Sequence, residues 1–187
     1  IIEGAAYSLM TTPDPKLAAY VDGLATLYAE AQEESGYLYT MWTARATIPD
    51  PSKVHCGYGS GPFENVHQSH ELYNVGHMYE GAIAFHQATG RDELLEVSKK
   101  SADHVDSVFG PGKKELPTGH QEIEIGLAKL YRQTGERRYL DLAKFFLDQR
   151  GKTSKDRSAN WSTYSQDHMP VVDQTEAVGH AVRACYM

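Results

Sequence analysis

The sequence predicts an all-α chain assembled from helical hairpins, and three observations carry that expectation. A run from Tyr79 to Leu95 is repeated by a run from Glu124 to Leu140, with Ala88-Thr89-Gly90 in the first matching Gln133-Thr134-Gly135 in the second, 45 residues apart. Repeats of that period are a signature of stacked supersecondary units. Apolar residues recur at three- and four-residue spacing, and no convincing two-residue strand alternation is found. The length, 187 residues with 41% hydrophobic and 23% charged side chains, suits one globular domain of ordinary composition.

In chain order, helices are expected at about 1–10, 15–34, 68–89, 91–109, 118–134, 136–150 and 170–187. Gly90 and Gly135 supply the positive φ that often ends a helix, and the charged residues after each open the next one, so each Thr-Gly is a hairpin corner. From Arg91, the residues Leu94, Val97, Val105 and Val108 form an apolar stripe among Asp92, Glu96, Lys99, Lys100 and Asp103, the pattern of an outer, half-solvated helix. The helix from His70 to Phe85 instead mixes small and apolar residues with His70, Tyr73, Asn74, His77 and Glu80, which suggests a packed helix lining a cavity. Two long connections remain: Met41 to Gln68, with Trp42 and Tyr58, and Gly151 to Pro170, with Trp161 and Tyr164. Loops of this length are usually functional or disordered, and their aromatic content favours order.

Several function classes are excluded or disfavoured. A formal net charge of -7 argues against a nucleic-acid partner, whose phosphates require clustered Lys and Arg. No apolar run approaches the roughly 20 residues that span a bilayer, so no membrane partner is expected. Cys56 and Cys185 stand far apart without a CxxC pattern, giving neither a disulfide framework nor a thiol zinc finger. His70 and His77 are two turns apart, about 10 Å along a helix axis, too far for joint ligation of a metal, and no His-x3-His occurs. No G-x-S-x-G nucleophile motif is present. Of nine histidines, His70, His120 and His180 occupy comparable places in successive helical units, and they are expected to face one common cavity while His86 and His104 face away.

Longer motifs then carry a resemblance. His70-Glu71-Leu72-Tyr73, Gly76-His77, Ala102-Asp103-His104-Val105, Gly119-His120-Gln121-Glu122-Ile123-Glu124, Tyr164-Ser165-Gln166-Asp167-His168, Gln174-Thr175-Glu176-Ala177 and Gly179-His180-Ala181-Val182-Arg183-Ala184 follow one another in order. Glu3-Gly4-Ala5-Ala6-Tyr7-Ser8-Leu9 and Gln32-Glu33-Glu34-Ser35-Gly36-Tyr37-Leu38 fit as well, the family more often having Asp at Ser35. Over essentially its whole length the chain resembles the beta-L-arabinofuranosidases of glycoside hydrolase family 127, formerly domain of unknown function 1680.

The resemblance implies that residues 1–187 are part of an (α/α)6-barrel catalytic domain, cut at both ends, whose inner helices line a sugar pocket. It implies that His70, His120 and His180 hydrogen-bond an arabinofuranoside or related glycan; a neutral imidazole can donate at one nitrogen and accept at the other. In the family, a zinc-bound cysteine attacks the anomeric carbon while a glutamic acid protonates the departing oxygen, and the glycosyl thioether is hydrolysed with retention. No matching nucleophile, acid/base or zinc ligand is found here, so zinc is expected in the full-length family but not on this segment. If this segment alone is produced, the apolar seam left by absent helices is expected to drive formation of homo-oligomers. Two other readings fit the helical pattern alone: a helical-repeat interaction module, and another (α/α)-barrel sugar enzyme such as an unsaturated glucuronyl hydrolase or an epimerase.

Overall fold

The computed structural model describes residues 1–47, 59–152 and 163–187. Its helices are α1 (Ile2–Thr11), α2 (Pro15–Ala31), the single turn α3 (Thr40–Thr43), α4 (Glu71–Thr89), α5 (Glu93–Val108), α6 (Ile123–Thr134), α7 (Arg137–Gln149) and α8 (Ala181–Tyr186). Among the described residues no strand forms, and one isolated bridge joins Phe109 to Lys114. Tyr58, Trp161 and Cys56 lie outside the described residues.

Each hairpin has a local cause. Asp14 caps α2 by accepting from the amides of Lys16 (2.9 Å) and Leu17 (3.2 Å), and Pro15 occupies the first helical position, where its missing N–H costs nothing. At the other two corners Gly90 (φ 73°) and Gly135 (φ 77°) adopt the left-handed conformation that ends α4 and α6, as the Thr-Gly repeat predicts.

The three hairpins α1/α2, α4/α5 and α6/α7 stand side by side, forming two layers. In the inner layer α4 packs between α1 and α6; in the outer layer α5 contacts α2 and α7 as well as α4. Because α4 is covered on several sides, it buries residues around most of its circumference, whereas α5 and α7 bury one stripe each. Gly76 and Gly126 let α4 and α6 cross closely: a Cβ on Gly76 would stand 2.7 Å from the Ile123 nitrogen, and one on Gly126 2.7 Å from the Gly76 carbonyl oxygen. The main core runs from Tyr37, Phe63 and Leu72 through Tyr79, Leu94 and Phe109 to Leu127, Tyr139 and Phe146.

Two expected helices are shortened, and both differences fall at the site. The helix anticipated over 118–134 begins at Ile123, because Glu124 turns back to accept from the Glu122 amide (3.1 Å) and the Thr118 hydroxyl (2.7 Å), holding residues 118–122 as a loop. The helix anticipated over 170–187 is a 3-10 turn at Val171–Asp173, a loop, and then α8. There the side chain of Gln166 takes the carbonyls of Val178 (2.7 Å) and His180 (3.1 Å), and Gln174 takes those of Gln166 (2.8 Å) and Met169 (3.0 Å), so the intervening backbone is bonded across the loop.

Candidate functional site

At one end of the inner layer, three segments meet: the start of α4, the loop 118–122 before α6, and the loop 163–180 leading into α8. His70 is the N-cap residue of α4, and His180 is that of α8, accepting at Nδ1 from the Arg183 amide (3.4 Å). His180 therefore sits at a helix start, not two turns inside a helix. His120 lies in the loop ahead of Ile123.

His120 lies between His70 and Arg183, and His180 stands one helical turn before Arg183. The rings of His70 and His120 stand 3.9 Å apart, and the Arg183 guanidinium lies 2.7 Å from His120 Nε2. Since arginine only donates, His120 accepts at Nε2 and carries its proton on Nδ1. Arg183 also donates to the Ser165 hydroxyl (2.9 Å) and lies over the Tyr164 ring, which meets His180 edge-on at 5.5 Å. Burial, Arg183 and the neighbouring His70, His67 and His180 push the His120 pKa down to about 3, so this imidazole is neutral through the physiological range. Burial, helped by Arg183, lowers His67 as well. His86 is elsewhere, paired with Asp92 (2.7 Å) at the far end of α4, and His104 packs between Tyr37 and Phe63 on α5.

Buried polar networks hold the loops. Arg150 is fully buried at the end of α7 and donates to the carbonyl oxygens of Thr118 (2.8 Å) and Ser165 (3.0 Å) and to the Thr118 hydroxyl (2.8 Å), tying the His120 loop to the Ser165 loop. Gln121 reaches across the same gap to Gln166 (3.0 Å), a residue held at φ 55°. On the other side Glu71 accepts from the Tyr37 hydroxyl (2.5 Å), the Phe63 amide (2.9 Å) and the Ser69 hydroxyl, fixing the entry to α4 beside His70. Burial and Glu71 raise the Tyr37 pKa, keeping its hydroxyl a donor.

Deeper in the inner layer, His77 Nδ1 lies 3.0 Å from Glu122 Oε1 and 3.8 Å from Glu80 Oε2; Lys129 donates to Glu80 and stands 3.6 Å from Glu3. Burial and the adjoining Glu80 carboxylate raise the Glu122 pKa above neutrality, while hydrogen bonds from Glu122 and Lys129 outweigh burial and lower that of Glu80. The Glu80–Glu122 pair thus holds its proton more readily at Glu122 than at Glu80. His77, Glu80 and Glu122 place ligand atoms within 4.8 Å of one another, close enough to hold a metal ion together. The cysteine-ligated zinc implied by the resemblance does not fit the described residues: Cys185 is exposed on α8 and belongs to no such group.

Sequence reasoning singled out the three histidines but assigned no role to Arg183, and spacing alone could not pair Glu122 with Glu80. Arg183 stands three residues after His180, one helical turn, and that spacing was the available signal.

The family model for the "Beta-L-arabinofuranosidase, GH127 catalytic domain" matches residues 1–187. The chain belongs to this family. A "Non-reducing end beta-L-arabinofuranosidase" of Bifidobacterium longum subsp. longum is 40% identical over 205 aligned residues, covering 100% of this chain and 30% of that protein. Among solved structures, a GH127 beta-arabinofuranosidase superposes with a TM-score of 0.87 at 50% identity, covering 100% of this chain and 28% of its own. A GH127 beta-L-arabinofuranosidase from Geobacillus stearothermophilus T6 gives 0.83 at 38% identity, covering 99% and 30%. This GH127 chain thus spans about 30% of the length of the relatives it matches. The match is to GH127 and not to a helical-repeat, glucuronyl hydrolase or epimerase family. The two-layered hairpins of the GH127 chain are an all-α segment of a helical barrel.

Proposed function

We propose that residues 1–187 form part of the (α/α)6-barrel catalytic domain of a retaining glycoside hydrolase acting on terminal beta-L-arabinofuranosides, and that His70, His120 and His180 bind the sugar. The observation that carries this reading is the contact of His120 with both His70 and the Arg183 guanidinium, on the helix that His180 caps. A furanose presents hydroxyls that both donate and accept, and a neutral ring such as His120 answers them without the desolvation cost of a buried charge. Buried networks on both sides hold the ring positions before a ligand arrives, which lowers the ordering cost of binding.

In this reading the nucleophile and the acid/base lie outside these 187 residues, with any zinc; the metal would supply a stabilised thiolate there. The function of this chain is recognition. Full-length protein should hydrolyse an aryl beta-L-arabinofuranoside, and His120→Ala should weaken its sugar binding by a factor of a few to about ten for each hydrogen bond lost. The isolated chain should neither turn over substrate nor hold stoichiometric zinc by elemental analysis. An unchanged Michaelis constant and turnover in the His120→Ala enzyme would remove the assignment.

A further inference from the structure

We propose that His77 is an additional sugar-contacting imidazole: its Nδ1 stands 3.0 Å from Glu122 Oε1, which leaves Nε2 for a hydrogen bond with a ligand hydroxyl. The proposal rests on the sugar-binding reading above and extends it two helical turns down α4.

Three observations support it. First, the polar wall is continuous from His120 to His77. Tyr73 meets His70 at 5.7 Å, His120 at 5.9 Å and His77 at 4.5 Å between ring centroids, and Tyr186 of α8 closes over Tyr73 (6.4 Å) and His77 (6.0 Å). Second, His70, Asn74 and His77 line one cavity of about 980 Å³, whose largely aliphatic wall also carries Tyr28, Tyr39 and Thr40 and which His120 and His180 do not reach. Rings beside hydrogen-bonding groups suit a sugar, whose C–H faces pack on aromatics while its hydroxyls seek polar partners.

Third, His77 keeps one nitrogen toward the carboxyl pair: Nδ1 stands 3.0 Å from Glu122 Oε1 and 3.8 Å from Glu80 Oε2. The side chain is 40% exposed, and no described residue bonds Nε2. The groups facing this ring are Glu80 and Glu122, with Glu3, the chain amino group, Tyr73 and Tyr186 around them. Burial outweighs the acids and lowers the His77 pKa, so the ring is neutral near pH 7.

The test uses the full-length protein. Carbethoxylation by diethyl pyrocarbonate, which acylates unprotonated imidazole nitrogens, is mapped by peptide mass spectrometry with and without L-arabinose. His77 should be modified in the free protein and protected by the sugar. In parallel, His77→Phe should raise KM for an aryl arabinofuranoside by a factor of a few to about ten with kcat within about twofold, the mark of lost ground-state binding. Protection of His70 or His120 without protection of His77 overturns this proposal and spares the broader reading. Protection of none of the three overturns both. Uptake of one zinc or manganese ion per chain that is abolished by His77→Phe also overturns it, because Nδ1 would then be a ligand.

Discussion

Replacing Arg150 with Met tests whether the site loops are held from beneath. The Arg150 side chain is 0% exposed, and among the described residues its guanidinium hydrogen-bonds Thr118 and Ser165 at 2.8 to 3.0 Å. Glu124, also buried, lies 3.9 Å away and would lose this counter-charge. Methionine fills much of the volume, so cavity formation is a minor part of the cost. The dominant part is electrostatic: breaking a buried pair from one side costs about 3–5 kcal/mol, because the remaining charge is left without compensation. For a chain of this size each kcal/mol lowers Tm by roughly 2–4 °C, so the expected fall is roughly 6–20 °C. Thermal and urea denaturation of the 187-residue chain measure it. Adding Glu124→Gln should recover part of the loss, since the orphaned charge disappears. A Tm within about 2 °C of wild type in the single variant, or no recovery in the double, refutes the reasoning.

The other predictions concern pH and backbone space. Glu122 has a folded pKa raised above its unfolded value of 4.5, so its stabilising contribution is full below pH 4.5 and lost as pH rises through the folded value; Glu122→Gln should flatten the decline in stability on the neutral-to-alkaline side, and an unchanged slope would count against the raised pKa. His120 has the opposite sign: its folded pKa is lowered from 6.5 to about 3, so stability is full above pH 6.5 and lost as pH falls toward 3, and urea midpoints of His120→Asn should depend less on pH in that window. A Cβ on Gly119 would stand 2.1 Å from the Val66 carbonyl oxygen and 2.8 Å from His67 Cα, so Gly119→Ala should cost about 1–3 kcal/mol by forcing the His120 loop outward. Gly4→Ala, in open space on α1, should instead stabilise by about 0.5–1 kcal/mol; equal effects in the two variants would contradict the packing argument.

Local chemistry made much of this chain legible before any coordinates. The Thr-Gly repeat marked two hairpin corners, since only a residue without a Cβ enters the left-handed region at no steric cost, and Gly90 and Gly135 do so. The apolar stripe of Leu94, Val97 and Val105 marked α5 as an outer helix, because three- and four-residue spacing is itself the geometry of one helical face. His70 and His120 could be singled out for the same reason, lying near helix starts that the sequence itself marks, whereas His180 was expected inside a helix and caps α8. What stayed hidden are the features made by partners remote in sequence. Residues 118–122 and 174–179 carry helical-looking patterns, yet side chains of Glu124, Gln166 and Gln174 satisfy the loop backbone, and that alternative exists only once the loops meet. Nothing in the sequence pairs Arg183 with His120, 63 residues away, until the fold places that ring at its guanidinium. Glu122 and Glu80 lie on neighbouring segments of the inner layer, so the opposite shifts of their carboxyls are properties of the packed helices. Spacing along one chain determines faces and turns; the distance and dielectric between two charges are set only when separate segments bury them together.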